Sequence, residues 1–461
     1  MNSLIVISIL AIVVLYLGLF KAKSALLPVT VIGLLGALVL AIMEWNSGAS
    51  AIYSGMMLFD NFAVAFSSLT IVSTILILLL SKGYFEKISD NVAEYYTIIL
   101  FALVGIIVMV SYHNLTMLFV GLEIMSVSLY ILAGIKKRDF ASNEAALKYF
   151  LMGAFSTGFL LFGIALIYGA SHSFDMSVIA QYVIDRPTPS AIDPMFYVGI
   201  ILMIVGLSFK IGAAPFHFWT PDVYEGSPTL ITTFMSTVVK TAGFAAFLRL
   251  FAMCFAPLAE FWMPTLLVIT ILTLFIGNIT ALYQSNFKRM LAFSSISHAG
   301  YMLFAIVALG STSINSVFVY ASAYSLASII AFGVLIIVKD QTGGENFDSF
   351  NGLSKKNPFL AFVLTIAMLS LAGIPLTAGF IGKFFMFSTA LQQYHTWLIV
   401  LAIVNAMIGI FYYFRVIVSM YFKDAEGKEL ITPGYFQLVL SLSAVATIIL
   451  GIYPSLITNL F

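Results

Sequence analysis

The sequence predicts an all-α polytopic membrane protein of about 14 transmembrane helices. Of its 461 residues, 61% are hydrophobic and only 9% are charged, whereas a water-soluble domain has about 25% charged residues. Apolar runs of roughly 20 residues, the length that crosses a bilayer as a helix, recur along the whole chain. Both observations indicate that most of the chain lies in lipid.

The apolar runs define the predicted helices, which we number 1 to 14 from the N-terminus. Helix 7 contains Pro215 and helix 12 contains Pro375, and both should be broken because proline removes a backbone donor. The predicted helices span residues 4–20, 25–43, 61–81, 95–112, 115–134, 143–170, 195–220, 228–254, 262–283, 289–309, 314–338, 358–391, 396–422 and 433–458.

Basic residues determine the expected orientation. If the N-terminus faces outward, the inward loops hold 14 of the 21 basic residues and the outward loops hold only Arg186. Basic loops stay on the cytoplasmic side during insertion, so we expect a multi-pass protein of the bacterial plasma (inner) membrane with both termini on the non-cytoplasmic side. The inward set is Lys21, Lys23, Lys82, Lys87, Lys136, Lys137, Arg138, Lys288, Arg289, Lys339, Lys355, Lys356, Lys423 and Lys428.

Composition excludes several kinds of site. The single cysteine, Cys254, rules out a disulfide framework and any thiolate-held zinc or iron–sulfur site within this chain. The five histidines are scattered singly, which argues against haem. A net charge of +1 gives no reason to expect a nucleic-acid partner. We therefore expect no cofactor and no metal in this chain.

Two stretches of five helices resemble each other. LSFKIGAAPF in helix 7 corresponds to LSLAGIPLTAGF in helix 12, and a glycine precedes Arg249 in helix 8 and Arg415 in helix 13 by six residues. Five is an odd number, so the second copy must enter the membrane upside down, as in transporters with broken helices near the midplane. The expected units are helices 1–3 (residues 1–94), a first repeat of helices 4–8 (95–254), a second, inverted repeat of helices 9–13 (262–422) and helix 14 (433–461).

Glu123 in helix 5 and Lys210 in helix 7 are the main candidate site residues. A charge at the bilayer centre costs about 2.5–3.5 kcal/mol on insertion scales, so each needs a partner or a wet cavity. A Glu123–Lys210 pair could load or release a proton when its surroundings change. The alternative is a static ion pair that only fixes helix register.

Four further ionisable residues lie within predicted helices. Lys240 (helix 8) and Lys383 (helix 12) are several turns from a helix end and cannot easily snorkel. His298 (helix 10) could relay protons near physiological pH, or could be a hydrogen-bonded core residue. Lys148 lies about a turn and a half inside helix 6, where it could snorkel to the surface or pair with Glu144.

These candidates predict a row of protonatable groups along the membrane plane. Glu123 is the only clear acid at mid-depth, whereas a sodium site would need several oxygen ligands, so the pattern favours protons. In the segment PFHFWTPDVYEGSPTL, Asp222 and Glu225 could form a gate or a point of proton uptake. An interfacial aromatic belt explains the tryptophan and tyrosine of this segment adequately.

Five segments of helices 4 to 13 resemble the proton-translocating subunit family shared by complex I and multisubunit cation/proton antiporters. In that family the helix 5 glutamate falls on Glu123, the helix 7 lysine on Lys210 and the helix 8 lysine on Lys240. The helix 12 position falls on Lys383, where another antiporter-like subunit has glutamate. The segments are GLEIMSVSLYIL, NEAALKYFLMGAFSTGFLLFGIALIYG, KIGAAPFHFWTPDVYEGSPT, FKRMLAFSSISHAGY and GIPLTAGFIGKFFMF.

The resemblance implies proton transfer through two inverted five-helix units, driven by quinone reduction elsewhere in an NADH:quinone oxidoreductase. It implies other complex I membrane subunits as partners, with FMN, iron–sulfur clusters and quinone in partner subunits. Two alternatives stay open. One is a subunit of a multisubunit Na⁺/H⁺ antiporter without a redox partner, and the other is a mainly structural subunit of the membrane arm.

Overall fold

The protein is built from α-helices in a computed structural model that describes residues 1–48, 50–186, 188, 191–392, 396–424, 428–458 and 460. Residues 459 and 461, at the end of the predicted last unit, lie outside the described residues. The helices are α1 (Asn2–Leu19), α2 (Lys23–Met43), α3 (Asn61–Leu79), α4 (Val92–Ser111), α5 (Leu115–Ala133), α6 (Phe140–Ser171), α7 (Met176–Ile184), α8 (Pro194–Ile211), α9 (Trp219–Gly226), α10 (Thr229–Phe234), α11 (Lys240–Leu250), α12 (Ala259–Leu282), α13 (Phe287–Val307), α14 (Ser313–Thr342), α15 (Leu353–Lys356), α16 (Pro358–Ala372), α17 (Ala378–Gln392), α18 (Thr396–Phe422), α19 (Gly434–Ile452) and α20 (Ser455–Thr458).

Twelve helical stretches in the described part of the chain are long and apolar enough to cross a bilayer, which confirms the all-α membrane class. One of them, Thr229–Leu282, covers 54 residues, more than twice the roughly 20 that a crossing needs. It is this long because α10, α11 and α12 follow one another through π-helical and 3₁₀ turns. α16 and α17 are apolar but shorter. The count of 14 crossings and the inverted repeat stay predictions.

Helices 7 and 12 are interrupted, in each case at a glycine that precedes the proline. α8 ends where Gly212 takes a left-handed conformation with φ of 73°, and α16 ends at Gly373 with φ of 84°. Glycine adopts such angles without strain, so the chain can leave the helix axis there. Pro215 and Pro375 lie in the links that follow, before helix resumes at α9 and α17.

Loops predicted to share a side of the membrane meet at the same end of the bundle. At one end Lys87, after α3, forms an ion pair with Asp340 of α14 at 2.7 Å. At the other end a hairpin of β1 (Ser50–Ile52) and β2 (Met57–Phe59) bridges to Tyr112 after α4. This hairpin and α7 were not predicted from the sequence. Between the two ends, α13 and α14 are buried over nearly their whole length, whereas α1, α2, α18 and α19 lie at the periphery.

The two arginines at matched positions of the predicted repeat stabilise helix ends. Arg249, only 2% exposed, pairs with Asp60 at 2.6 Å and donates to the Val110 carbonyl oxygen at 2.9 Å. Arg415 donates to the carbonyl oxygens of Leu282 and Gln284 at the end of α12, where the helix leaves its last carbonyl groups without partners. Both arginines therefore hold neighbouring helices together.

Glycine lets α4 and α5 approach each other beside Glu123. A Cβ atom at Gly105 would lie 2.7 Å from the carbonyl oxygen of Gly121, and one at Gly121 would lie 2.7 Å from the backbone nitrogen of Met109. Backbone atoms cannot move aside as a flexible side chain does. Small residues at such crossings allow membrane helices to pack by van der Waals contact.

The variant Gly121→Ala should therefore destabilise the protein by about 1–3 kcal/mol through overpacking. The matched control Gly158→Ala adds the same methyl group to a glycine of α6 that has no atom within 4 Å of the new carbon. It should leave stability unchanged or raise it slightly. Thermal unfolding in detergent compares the two variants, and identical transitions would contradict the close packing of α4 on α5.

Candidate functional site

Lys210 lies in the last turn of α8, directly before the break at Gly212, and its side chain is buried. Its ammonium nitrogen donates a hydrogen bond to the Ser126 hydroxyl oxygen of α5 at 2.6 Å. The same nitrogen lies 5.6 Å and 5.7 Å from the ring centroids of Tyr130 and Tyr149. A cation at a helix C-terminus also interacts favourably with the helix dipole. Hydroxyl, aromatic and helix-end interactions thus replace water around this charge.

The expected direct pair between Glu123 and Lys210 is not formed. The ion pairs within 4.0 Å in the described residues do not include one between them. The Glu123 side chain is half-buried, and its Oε1 atom is buried without a hydrogen-bond partner. Ser126 lies nearly one turn further along α5, and it occupies the lysine. Glu123 nevertheless lies near enough to Lys210 for their charges to interact, so a functional pairing of the two groups stays a prediction.

Lys240 follows a π-helical turn, Met235–Val239, in the long helix that starts at Thr229. Its ammonium nitrogen donates to the Ser295 carbonyl oxygen at 2.6 Å and also to the Ser295 hydroxyl oxygen of α13. The Tyr324 ring centroid lies 5.9 Å away. A π-turn inside an α-helix is frequent at functional sites, and here it immediately precedes the buried lysine.

His298 lies at the centre of the bundle with both ring nitrogens hydrogen-bonded. Nδ1 lies 2.7 Å from the Tyr320 hydroxyl and Nε2 lies 2.9 Å from the Tyr413 hydroxyl, which in turn lies 2.6 Å from the Ser294 hydroxyl. A hydroxyl group can donate or accept, so this network supports either tautomer of the ring. The sequence left open a relay or a hydrogen-bonded core residue, and the geometry is compatible with both.

Lys383 of α17 reaches back across the break to the end of α16. Its ammonium nitrogen donates to the carbonyl oxygens of Leu371 and Ala372 at 3.1 Å and 2.9 Å, and lies 4.9 Å from the Tyr301 ring centroid. A cavity of about 10 Å³, close to the volume that holds one water, is lined by Leu371 and His298. The structure therefore brings Lys383 close to the histidine.

Lys148 lies apart from the buried lysines. Its side chain is 40% exposed and pairs with Glu144 at 2.8 Å and with Asp222 of α9 at 2.7 Å. The geometry agrees with a lysine that extends to the surface and pairs along its helix. A role for Lys148 inside the row stays a prediction.

Lys148 and its partners Glu144 and Asp222 line a surface cavity of about 1250 Å³. The cavity lies at the end of the bundle where the basic loops meet. Arg289 of α13 pairs there with Asp222 at 3.2 Å and also with Glu225. Burial alone would raise the pKa of the Asp222 carboxyl group, but hydrogen bonds and charge from Lys148 and Arg289 hold this pKa below its ordinary value. The two acids of the predicted gate thus form ion pairs with cations from α6 and α13.

Sequence reasoning missed one buried cation and the hydroxyl partners of the others. Lys288, expected in a basic loop, is 1% exposed and donates to the carbonyl oxygens of Glu225 and Ser227 at the end of α9. Its position beside Arg289 at the start of a helix gave no signal of burial. The serine-rich run before His298 was the available signal for the hydroxyl partners Ser294 and Ser295.

The described residues contain no group of three His, Cys, Asp or Glu side chains placed to hold a metal ion. The buried groups in this region are amines, hydroxyls, one imidazole and carbonyl oxygens. Amines, hydroxyls and imidazole have the chemistry to pass protons along hydrogen bonds, whereas carbonyl oxygens only accept hydrogen bonds.

The profile of the family "NADH:quinone oxidoreductase/Mrp antiporter, TM" matches residues 112–409. The chain is 41% identical to NADH-quinone oxidoreductase subunit N of Cytophaga hutchinsonii, over 100% of this chain and 99% of that protein. It is 42% identical to the protein of the same name from Flavobacterium psychrophilum, over the full length of both.

A solved structure of known name has the same fold. The chain superposes with a TM-score of 0.85 on a chain of respiratory complex I from Thermus thermophilus with bound aureothin, at 31% identity, covering 99% of this chain and 98% of that one. Sequence and fold agree over nearly the whole length. The chain therefore belongs to the NADH:quinone oxidoreductase/Mrp antiporter transmembrane family, together with the proteins named NADH-quinone oxidoreductase subunit N.

Proposed function

We propose that this chain is a proton-translocating membrane subunit of a respiratory NADH:quinone oxidoreductase, complex I. The observation that carries the proposal is that Lys210, Lys240 and Lys383 are buried, while the ion pairs within 4.0 Å in the described residues include none of the three. An amine that rests only on hydroxyl and carbonyl oxygens responds strongly to a charge placed nearby, because Coulomb energies rise in a medium of low polarity. Such a group can be loaded and unloaded by its surroundings.

The proposed order of proton transfer follows the row of buried groups. A proton leaves Lys210 for Lys240, passes to the His298 region and continues to Lys383. The Tyr324 ring lies 5.9 Å from the Lys240 nitrogen and 4.9 Å from the His298 ring, so the middle step is short. The last step uses the cavity of one-water size that His298 lines beside Leu371, whose carbonyl oxygen accepts from Lys383.

Glu123 is proposed to couple this row to a neighbouring subunit. Its half-buried carboxyl group lies near Ser126, which holds Lys210, without being bound to the lysine itself. A shift of the glutamate toward or away from Lys210 would change the energy of the ammonium ion. A neighbouring subunit that moves or protonates Glu123 would therefore trigger transfer.

The partners and the location follow from the same proposal. The relatives are subunits of an oxidoreductase, so the electron-carrying groups, FMN, iron–sulfur clusters and quinone, belong to partner subunits. Other membrane subunits would cover part of the apolar outer surface, where Phe155 and Phe411 are 71% and 65% exposed. We propose the bacterial plasma membrane as the location, with both termini on the non-cytoplasmic side.

A subunit of a cation/proton antiporter is the second candidate, because the matching family includes such antiporters. Relatives that share 41–42% of residues over the full length carry the subunit N name, which favours complex I. A purely structural subunit would use buried charges to lock helices together. Lys240 has no ionic partner among the described residues, which favours proton transfer over that role, because an amine without a counter-charge releases its proton more readily.

Replacing Lys240 by alanine should reduce proton translocation by at least about tenfold in an assembled complex, because a proton-transfer group contributes that much or more. The measurement is NADH-driven proton translocation in membrane vesicles, set against the rate of quinone reduction. The control Lys355→Ala removes an exposed lysine and should change neither quantity. Unchanged pumping in the Lys240 variant would refute its central role.

Isolation of the chain in mild detergent tests the wider assignment. We expect it to arrive in a large complex with iron–sulfur absorbance and inhibitor-sensitive quinone reduction. The measurement is that absorbance together with the NADH:quinone reductase rate of the purified material. Recovery with small membrane proteins only, and no redox activity, would instead establish the antiporter alternative.

A further inference from the structure

An aromatic cluster of Tyr130, Tyr149 and Trp219 lies beside Lys210. The Tyr149 ring stacks on Trp219 at 4.6 Å and meets Tyr130 edge-on at 4.8 Å. Both tyrosine rings lie within 6 Å of the Lys210 nitrogen. Tyr149 therefore connects α9 to the side chain of Lys210.

The same tyrosine belongs to a helix that borders the cavity. It follows Lys148 in α6, and Lys148 lines the cavity together with Asp222. Trp219, on which Tyr149 stacks, begins the short helix α9 that carries Asp222. Tyr149 thus packs against α9, a second helix that borders the cavity, and lies beside the buried lysine.

Four buried hydroxyl groups of α5, α6, α8 and α9 form no hydrogen bond with the described residues. They belong to Tyr130, Tyr149, Ser208 and Thr220, and each of these residues is 8% exposed or less. A buried hydroxyl group that forms no hydrogen bond costs free energy, and nearly all such groups in proteins bind a protein atom or an ordered water. The two tyrosines among them have their rings within 6 Å of the Lys210 nitrogen, which indicates bound water beside the lysine.

We propose that protons reach Lys210 from the cavity through water held at the hydroxyl groups of Tyr149 and Tyr130. In each transfer the Tyr149 oxygen accepts a proton from water on the cavity side and releases its own proton toward Lys210. One O–H bond forms and one breaks, so the tyrosine stays neutral and no redox partner is needed. This inference rests on the proposed function and adds the route by which the same lysine is loaded.

The competing role for these rings is packing alone. Packing uses the ring faces and edges, which phenylalanine would supply equally. Proton transfer uses the hydroxyl group, which for Tyr149 has no hydrogen-bond partner among the described residues. A tyrosine-to-phenylalanine change therefore separates the two roles with little effect on folding.

In the whole complex, Tyr149→Phe should slow NADH-driven proton translocation about fivefold, which corresponds to the loss of one hydrogen bond in the transfer step. The thermal unfolding transition should stay the same or rise. Because proton delivery becomes limiting, heavy water should slow the variant more than it slows the unaltered complex. A packing role would leave this solvent isotope effect unchanged.

The matched control is Tyr96→Phe, which removes a buried hydroxyl group bound to Ser81, far along the chain from the cluster. It should alter neither the translocation rate nor the isotope effect. Tyr130→Phe provides a second test at the other unpartnered hydroxyl and should act in the same direction as Tyr149→Phe.

Normal translocation and a normal isotope effect in both cluster variants would overturn the route. The Lys240→Ala variant, measured in parallel, separates this failure from failure of the proposed function. If it loses pumping while Tyr149→Phe and Tyr130→Phe do not, only the route is wrong. If none of the three variants changes pumping, the proposed function itself is wrong.

Discussion

The structure depends on one constraint, which is that an ammonium ion inside a membrane helix must find oxygen atoms other than those of bulk water. Lys210 binds the Ser126 hydroxyl, Lys240 binds both oxygens of Ser295, and Lys383 binds two carbonyl groups at the end of α16. Neutral oxygen atoms stabilise a cation less than a carboxylate does. Each lysine is therefore held in place without a tight ion pair, as the proposed proton transfer requires.

The breaks in the helices supply much of this polarity. An intact helix uses its carbonyl groups internally, whereas a helix that ends inside the bundle leaves its last carbonyl groups free. Lys383 takes two of these at the end of α16, and Lys210 lies in the last turn of α8. The glycines at positions 212 and 373 permit the breaks because they adopt positive φ angles. The interrupted backbone therefore supplies interaction partners for the buried charges.

Sequence reasoning found the buried lysines and the histidine, because a charged residue in a long apolar run is conspicuous. It did not find their partners. Glu123 was expected to hold Lys210, but Ser126 holds it. Lys288 was assigned to a loop, but it is buried against the carbonyl groups that end α9. In both cases the residue type was known and the deciding distance was set by helices far apart in the sequence.

The sequence by itself determined that the chain is a helical membrane protein, where its broken helices are interrupted to within a few residues, and which ionisable groups lie within its long apolar runs. These properties follow from local composition, since about 20 apolar residues specify a crossing wherever they occur. Only the tertiary structure decided that Tyr320 and Tyr413 hold His298, and that Arg289 neutralises Asp222 and Glu225. Serines and tyrosines are common in membrane helices, and each can bind the backbone of its own helix. Which of them turns to a buried charge depends on the rotation and crossing of helices, and packing of the whole bundle sets both.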